Sequence, residues 1–373
     1  MDSLGNKKVG NSIRVLGPEK MFREFDLYTT KFGTEFSTEI EEKFFGEIDR
    51  LAPETFDYFE EFSHPEYENH HFQNLLRTVS IQKLRTPKGL MALAEFQPGN
   101  DWNELLFALQ KLQNLYCAHW TEAVWAVVKS APETPGFLLS DHPVTTYNQG
   151  FFPGSSLCVG HRDPEIWRNG TFTIFPLSRK TALIFTNVSW IRNPHGDPKK
   201  LRPNPSPFRT AMFDWRGIQT GRMLTRAETI EINYIIKARA SRYVASYDKN
   251  WLFPERQLSS THWSRFGKSY LLMPDPRNVG FSGEIVIGYK DGSSLAFDEY
   301  GHRPWEREFS SKQRNGREWK SFLSFQGEFA HLMGPKRRGR SFEFDRLTKE
   351  EDDPDFHQYH LSLHSKSRPR SST

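Results

Sequence analysis

Residues 131–144 read Ala-Pro-Glu-Thr-Pro-Gly-Phe-Leu-Leu-Ser-Asp-His-Pro-Val, and they separate two parts of the chain with different periodicity. Before this stretch, apolar residues recur at intervals of three and four, which is typical of amphipathic helices. After it, short apolar runs are bounded by turn residues, which is typical of strands. This order predicts an α+β fold, with a helical part first and a mixed or antiparallel sheet built after Pro135 and interrupted by one core helix.

The helical part contains several predicted helices. Thr38 and Glu41 fit a capping box at the start of the first one. Pro53 is predicted to start a second helix. The apolar faces are assigned as Ile40, Phe44, Ile48 and Leu51; then Phe56, Phe59 and Phe62; then Phe72, Leu75, Val79 and Gln82; and finally a long helix from about Trp102 to Lys129. The third of these helices is predicted to end before Thr86-Pro87, because the residue before proline disfavours the helical region.

The second part contains the predicted strands. Phe137-Leu138-Leu139 is a short buried-strand candidate, and residues 171–176 and 181–188 form two β-rich segments. Thr225 is predicted to cap a helix whose core residues are Ile232, Ile236, Ala240 and Tyr243. A hairpin is predicted over residues 283–297, with Lys290-Asp291-Gly292 at its turn. Residues 192–208, which include five prolines, are predicted to be a surface loop.

The 373 residues are predicted to form one main domain over residues 31–335. Its helical part covers residues 36–131 and its sheet-containing part covers residues 136–335. An extended N-terminal arm (residues 1–30) precedes the domain, and a mobile charged tail (residues 336–373) follows it, because the tail is rich in charged residues and serine.

Composition excludes several classes of protein. No apolar run approaches the about 18 residues that a membrane span needs, and the first ten residues lack the apolar centre of a secretion signal. Two cysteines, Cys117 and Cys158, are too few for a disulfide framework or a cysteine-built zinc site. These features predict a cytoplasmic protein that does not interact with membranes.

Charge is distributed unevenly along the chain. Residues 35–68 contain twelve acidic and two basic residues, a net charge of −10, whereas residues 192–226 contain eight basic and two acidic residues, a net charge of +6. A basic segment can bind a polyanion such as nucleic acid. Pairing of the two segments within the fold or with a protein partner is the simpler interpretation.

Several phrases in the middle of the chain resemble one family when they are taken in order. They are Gln82-Lys83-Leu84-Arg85-Thr86-Pro87, the SDxPV-like Ser140-Asp141-His142-Pro143-Val144, Phe175-Pro176-Leu177-Ser178, Ile232-Asn233, and Arg242-Tyr243-Val244. This series is similar to the large, mostly microbial family known as domain of unknown function 4238, over roughly residues 26–250. The resemblance implies a shared fold but no agreed activity. Family members usually begin with a His-containing HxxP element, and nothing between Met1 and Tyr28 matches it.

The Ser140–Val144 turn has the highest concentration of reactive side chains. Asp141 can act as a base or bind a metal, and His142 titrates near neutrality, so both are candidate catalytic residues with Ser140 beside them. A structural interpretation is also open, because Ser-Asp before proline makes a good turn. Neighbours on an extended chain also point to opposite faces, so Asp141 and His142 need not act together.

Four further residues are candidate binding residues. Gln82 and Asn233 each lie on an apolar helical face, and a buried amide needs hydrogen-bond partners, either a ligand or the backbone of the Ser140–Val144 turn. Arg85 and Arg242 can stabilise an anion, or they can pair with the acidic segment of residues 35–68.

Two functions are consistent with these residues. One is a hydrolase acting on a phosphodiester or other anionic substrate, with Asp141 and His142 at its centre. The other is a non-catalytic module that binds protein or nucleic acid and in which the Ser140–Val144 turn is structural. No motif identifies a cofactor or a metal: GxSxG, the Walker loop and GxGxxG are missing, and His70-His71 lacks an HExxH pattern and is interpreted as a surface pair.

Overall fold

The protein is described by a computed structural model in which the following residues are placed: 13–17, 21, 27–32, 34–63, 67–95, 101–160, 162–168, 170–187, 215–266, 272–278, 284–298, 302–335, 338–341 and 354–367. The predicted surface loop at residues 192–208 lies outside this set, as do most of the N-terminal arm and Lys336-Arg337.

The described residues form an α+β fold, as predicted from the order of the patterns. The helices are α1 (Gly46–Glu60), α2 (Asn69–Leu84), α3 (Pro87–Ala94), α4 (Trp102–Thr121), α5 (Arg226–Arg239), α6 (Lys312–Met333) and α7 (Pro354–Ser367). The strands are β1 (Thr30–Phe32), β2 (Glu35–Ser37), β3 (Ala123–Ser130), β4 (Leu139–Ser140), β5 (Thr145–Asn148), β6 (Thr171–Pro176), β7 (Thr181–Asn187), β8 (Gln219–Leu224), β9 (Val244–Ala245), β10 (Glu284–Gly288) and β11 (Ser294–Asp298).

The central sheet has five strands in the order β5-β6-β7-β3-β8. Its neighbours are antiparallel except β3 and β8, which are parallel, so the sheet is mixed, as predicted. Three two-stranded pairs accompany it: β1 with β2, β4 with β9, and the predicted hairpin of β10 with β11.

The two faces of the sheet bury different helices, and β3 shows how the sequence produces this. Trp125 and Val127 point into a cluster with residues of α1 and α2, whereas Ala126 and Val128 point into a second cluster with Ile232 and other residues of α5. Alternate side chains of a strand face opposite sides, so a strand buried on both faces is apolar at successive positions. The sheet is therefore the middle of three layers.

The predicted long helix is wrong at its C-terminal end. α4 ends at Thr121, and residues 123–130 form the strand β3 between β7 and β8. The run contains three valines and a tryptophan, which favour a pleated surface. The sheet therefore begins before Pro135, not after it.

Two smaller predictions also need correction. Pro53 lies inside α1, which is continuous and follows a π-helical turn at Ile40–Phe45, so it starts no second helix. Thr225 caps α5 as predicted, within a capping box that includes Glu228, but α5 ends at Arg239 and Tyr243 is exposed. The tail of residues 336–373 includes α7, in which His360 is buried, and the mobility of this tail stays a prediction. Among the described residues, no helix is both long and apolar enough to cross a membrane.

Candidate functional site

A single buried carboxylate, that of Asp163, is surrounded by basic side chains. It accepts hydrogen bonds from Lys83 Nζ at 2.8 Å and Lys88 Nζ at 2.6 Å. His142 Nε2 lies 2.9 Å from Asp163 Oδ2, and the Arg239 guanidinium is 3.7 Å from Oδ1. These five residues are called the Asp163 cluster below, and their side chains are between 1% and 11% exposed.

Four segments of the chain supply the cluster and its surroundings. Lys83 lies at the end of α2 and Lys88 in the first turn of α3, so the junction of these helices presents both lysines. Thr86 caps α3 by accepting a hydrogen bond from Gly89 N at 3.1 Å. A Cβ on residue 89 would lie 2.6 Å from the carbonyl oxygen of Leu84, so only glycine allows the two helices to approach this closely.

The cluster carries more positive than negative charge. Lys83, Lys88 and Arg239 surround one carboxylate, and burial together with Lys83 lowers the pKa of His142 to about 3, which keeps it neutral. Burial acts to raise the pKa of Asp163, but Lys83 and Lys88 outweigh it and hold that pKa well below its usual range. Burial also lowers the pKa of Lys83, against the attraction of Asp163. A net charge of two positive units is the consequence when both lysines are charged.

Two neighbours make opposite demands on Nε2 of His142. Lys83 Nζ, at 3.1 Å, only donates and favours Nε2 as an acceptor, whereas the Asp163 carboxylate, at 2.9 Å, only accepts and favours a proton on Nε2. The shorter contact is the one to Asp163, and we assign the proton to Nε2 on that basis. Nδ1 then accepts from the Thr86 hydroxyl at 2.7 Å. Asp163, His142 and Thr86 therefore form a carboxylate–imidazole–hydroxyl chain.

Asp141 faces away from this cluster, although it is adjacent to His142 in sequence. Its carboxylate accepts three backbone N–H bonds, from Ser241 at 2.9 Å, Arg242 at 2.7 Å and Tyr243 at 3.2 Å. The carboxylate thus anchors the segment that leaves α5. The two predicted catalytic residues do not share a site, and a catalytic role of Asp141 stays a prediction.

Ser140 and Asn233 are also bound to backbone. Ser140 Oγ donates to the His142 carbonyl at 2.8 Å and accepts from its N–H at 3.2 Å. Asn233 accepts from Leu138 N at 2.9 Å and donates to the Gly136 carbonyl at 2.8 Å, so its partners lie just before the expected turn. Both polar groups hold the turn in place.

The remaining predicted residues lie outside the cluster. Arg85 forms two hydrogen bonds of 2.7 Å with Asp49, which belongs to the acidic segment. Arg242 is exposed and uses its backbone N–H to bind Asp141. Gln82 is half-buried, and its role as a binding residue stays a prediction.

Sequence reasoning missed Lys83, Thr86, Lys88, Asp163 and Arg239. One signal was available: Lys83 lies four residues after Val79 on the same apolar face and is buried, whereas Gln82 beside it is not. Asp163 lies in a loop and has no pattern around it. Its role depends on contacts with residues up to 80 positions away.

A known protein family matches the middle part of the chain. Residues 110–250 match the family described as Protein of unknown function (DUF4238). The predicted resemblance is confirmed over this segment, which includes the Ser140–Val144 turn, Asp163 and α5; the Gln82–Pro87 phrase precedes it. No curated protein and no solved structure matches the chain.

Replacing Asp141 with asparagine separates the structural role from the catalytic one. Because one amide oxygen replaces a carboxylate that accepts three N–H bonds, we expect the free energy of unfolding to fall by about 1–3 kcal/mol. Urea unfolding measures it, with Asp57→Asn, an exposed residue of α1, as the control. An Asp141→Asn protein as stable as wild type would contradict the structural role.

The buried neutral His142 predicts a loss of stability in acid. Its pKa is about 3 in the folded chain, against an ordinary value of 6.5. As the pH falls from 6.5 towards 3, the unfolded chain binds a proton that the folded chain refuses, so unfolding becomes easier by about 1 kcal/mol per pH unit.

His142→Gln removes this titration and keeps a polar side chain. Urea unfolding between pH 7.5 and 4 is therefore expected to show a flatter dependence for His142→Gln than for wild type. His262→Gln, at an exposed histidine, is the control and should follow wild type. Parallel curves for wild type and His142→Gln would contradict a strongly lowered pKa.

Proposed function

We propose that this protein binds a phosphate or another multiply charged anion at the Asp163 cluster. The supporting observation is the excess of buried positive charge. Lys83, Lys88 and Arg239 have one acidic partner, Asp163, among the described residues that contact them in the cluster. A buried charge without compensation is costly, and an anion is the group that would compensate it.

The basic side chains of the cluster have hydrogen-bond acceptors, but several of these acceptors are neutral backbone carbonyls that do not balance the positive charge. Lys88 Nζ donates to the Arg239 carbonyl at 2.7 Å, and Arg239 donates to the Phe151 carbonyl. Neutral carbonyls leave the charge of each cation in place. Arg239 Nε is buried and has no hydrogen-bond partner among the described residues, so one donor is available to a ligand.

The two lysine side chains are the least buried of the basic groups in the cluster. The side chains of Lys83 and Lys88 are 9% and 11% exposed, whereas that of His142 is 1% exposed. An anion that approaches from this side would meet the two ammonium groups first. Ligand charge would also favour the charged form of Lys83, whose pKa burial lowers.

Lys83→Met tests the binding of anions. If the positive charge is in excess, removing one cation leaves the ligand-free protein at least as stable as wild type. The rise in Tm that inorganic phosphate or pyrophosphate produces in wild type should then be lost. Lys237→Met, which removes the ion pair with Glu255 outside the cluster, is the control and should keep the phosphate effect.

Two outcomes would contradict the proposal. One is a wild-type Tm that does not respond to phosphate or pyrophosphate at low ionic strength. The other is a Lys83→Met protein that loses about 3–5 kcal/mol of stability, which is the expected cost of breaking a balanced buried pair.

Hydrolysis of the bound anion is a second candidate function. The hydrogen-bond chain Asp163–His142–Thr86 supports it, because an oriented histidine that accepts from a hydroxyl is the arrangement that activates a nucleophile. The Thr86 oxygen would attack phosphorus, and its proton would pass to His142 Nδ1 and from there to the alcohol that leaves. Water would then attack the phosphate ester on Thr86, give a proton to His142 Nδ1, and release the phosphate product, and the Thr86 oxygen would take back a proton from His142. The lysines and Arg239 would stabilise the developing negative charge, the role first assigned to Arg85 and Arg242.

Thr86 variants test this second function with bis(p-nitrophenyl) phosphate as the probe. Thr86→Ser keeps a hydroxyl and should retain turnover, whereas Thr86→Val keeps the shape and should lose about 100-fold or more. Loss of the helix cap costs about 1 kcal/mol in Thr86→Val, so folding is checked by its melting curve. Wild-type protein that binds phosphate but releases no nitrophenol would end the hydrolase hypothesis and leave anion binding intact.

The alternative is the non-catalytic module, and the phosphodiesterase measurements on the Thr86 variants distinguish it from the hydrolase. The backbone-bound Asp141, Ser140 and Asn233 support a structural role of the turn. The sequence Lys-Arg-Arg-Gly-Arg at residues 336–340 is a second basic run. Nucleic-acid binding through it has less support, because the Arg338 side chain is 14% exposed and lies 3.9 Å from Glu228. The proposed location of the protein is the cytoplasm.

A further inference from the structure

Three metal-ligating side chains meet on the side of α1 and α2, outside the Asp163 cluster. Glu54 of α1 and His70 and His71 of α2 each present a ligand atom, and these atoms lie within 4.8 Å of one another. Glu68 lies beside them, with its carboxylate 3.6 Å from His70 Nε2 and 3.4 Å from His71 Nε2. The group therefore combines two imidazoles with two carboxylates.

Among the described residues, the two histidine rings of this group make no ordinary hydrogen bond. The distances to Glu68 are longer than the 2.7–3.2 Å or so of ordinary N–H···O bonds. The His71 ring is nine-tenths buried, and its Nδ1 has no hydrogen-bond partner among the described residues. A buried polar atom without a partner is uncommon and needs an explanation.

We infer that Glu54, His70 and His71, with Glu68 beside them, form a binding site for a divalent transition metal of the zinc class. Imidazole and carboxylate are ligands that zinc accepts, and three protein ligands leave a coordination position for water. Magnesium and calcium are disfavoured because they prefer oxygen ligands. The metal would join α1 to α2.

The surroundings suit a metal site in two respects. The His71 ring stacks on Tyr58 with centroids 4.4 Å apart, which restricts its orientation. Glu54 is exposed and the His70 side chain is 60% exposed, so an ion can enter from solvent.

Sequence patterns did not indicate this site, because Glu54 and the histidines lie on different helices. The pair His70-His71 on its own resembles many surface pairs. Packing of α1 against α2 supplies the third ligand.

The inference is tested with the full chain after dialysis against a chelator. Isothermal titration with ZnCl₂ is expected to show one ion per chain, and Zn²⁺ should raise Tm. His70→Ala, at an exposed position, should weaken binding by at least about tenfold, and Glu54→Gln should also weaken it. His262→Ala, at an exposed histidine outside the group, is the control and should bind like wild type.

Co²⁺ provides an independent measurement. Because no cysteine belongs to the site, cobalt should give weak d–d absorption without a thiolate charge-transfer band, and His70→Ala should remove it. The inference is overturned if wild type binds no Zn²⁺ at millimolar concentration. It is also overturned if His70→Ala and Glu54→Gln bind Zn²⁺ as wild type does, since the metal then lies elsewhere.

Discussion

The buried carboxylate of Asp163 is the constraint on which the centre of the molecule depends. It contacts Lys83 at the end of α2, Lys88 at the start of α3, Arg239 at the end of α5, and His142 in the turn between β4 and β5. Three basic side chains could not be brought together in a low-dielectric interior without a negative charge among them. The helices on both faces of the sheet are therefore tied together by one loop residue.

The same arrangement leaves an excess of positive charge at the Asp163 cluster. One carboxylate brings Lys83, Lys88 and Arg239 together but neutralises only one of their three charges. The structural polar groups lie around the cluster: Asp141 holds the segment after α5, and Asn233 holds the segment before the turn. Backbone hydrogen bonds thus keep the turn rigid, and rigidity is what a site needs to hold charged groups in a fixed geometry.

The fold could be predicted from sequence where local signals and tertiary structure agree. The capping box at Thr225, the strands β6 and β7 and the hairpin of β10 and β11 all have strong local patterns. The prediction failed at residues 123–130, because Ala123 and Val127 continue the spacing of the preceding helix. These residues form a strand because they lie between β7 and β8, and hydrogen bonding to two neighbouring strands outweighs a weak local preference for helix.

The sequence by itself determined the α+β class and the family resemblance that is confirmed over residues 110–250. The sequence also indicated that Asp141 and His142 need not act together, because neighbours on an extended chain point to opposite faces. Only the tertiary structure decided that His142 joins the cluster while Asp141 binds the backbone after α5, and that Lys83 is buried instead of Gln82. The reason is physical: a charge cluster is defined by distances between residues far apart in the chain, and periodicity carries no information about them.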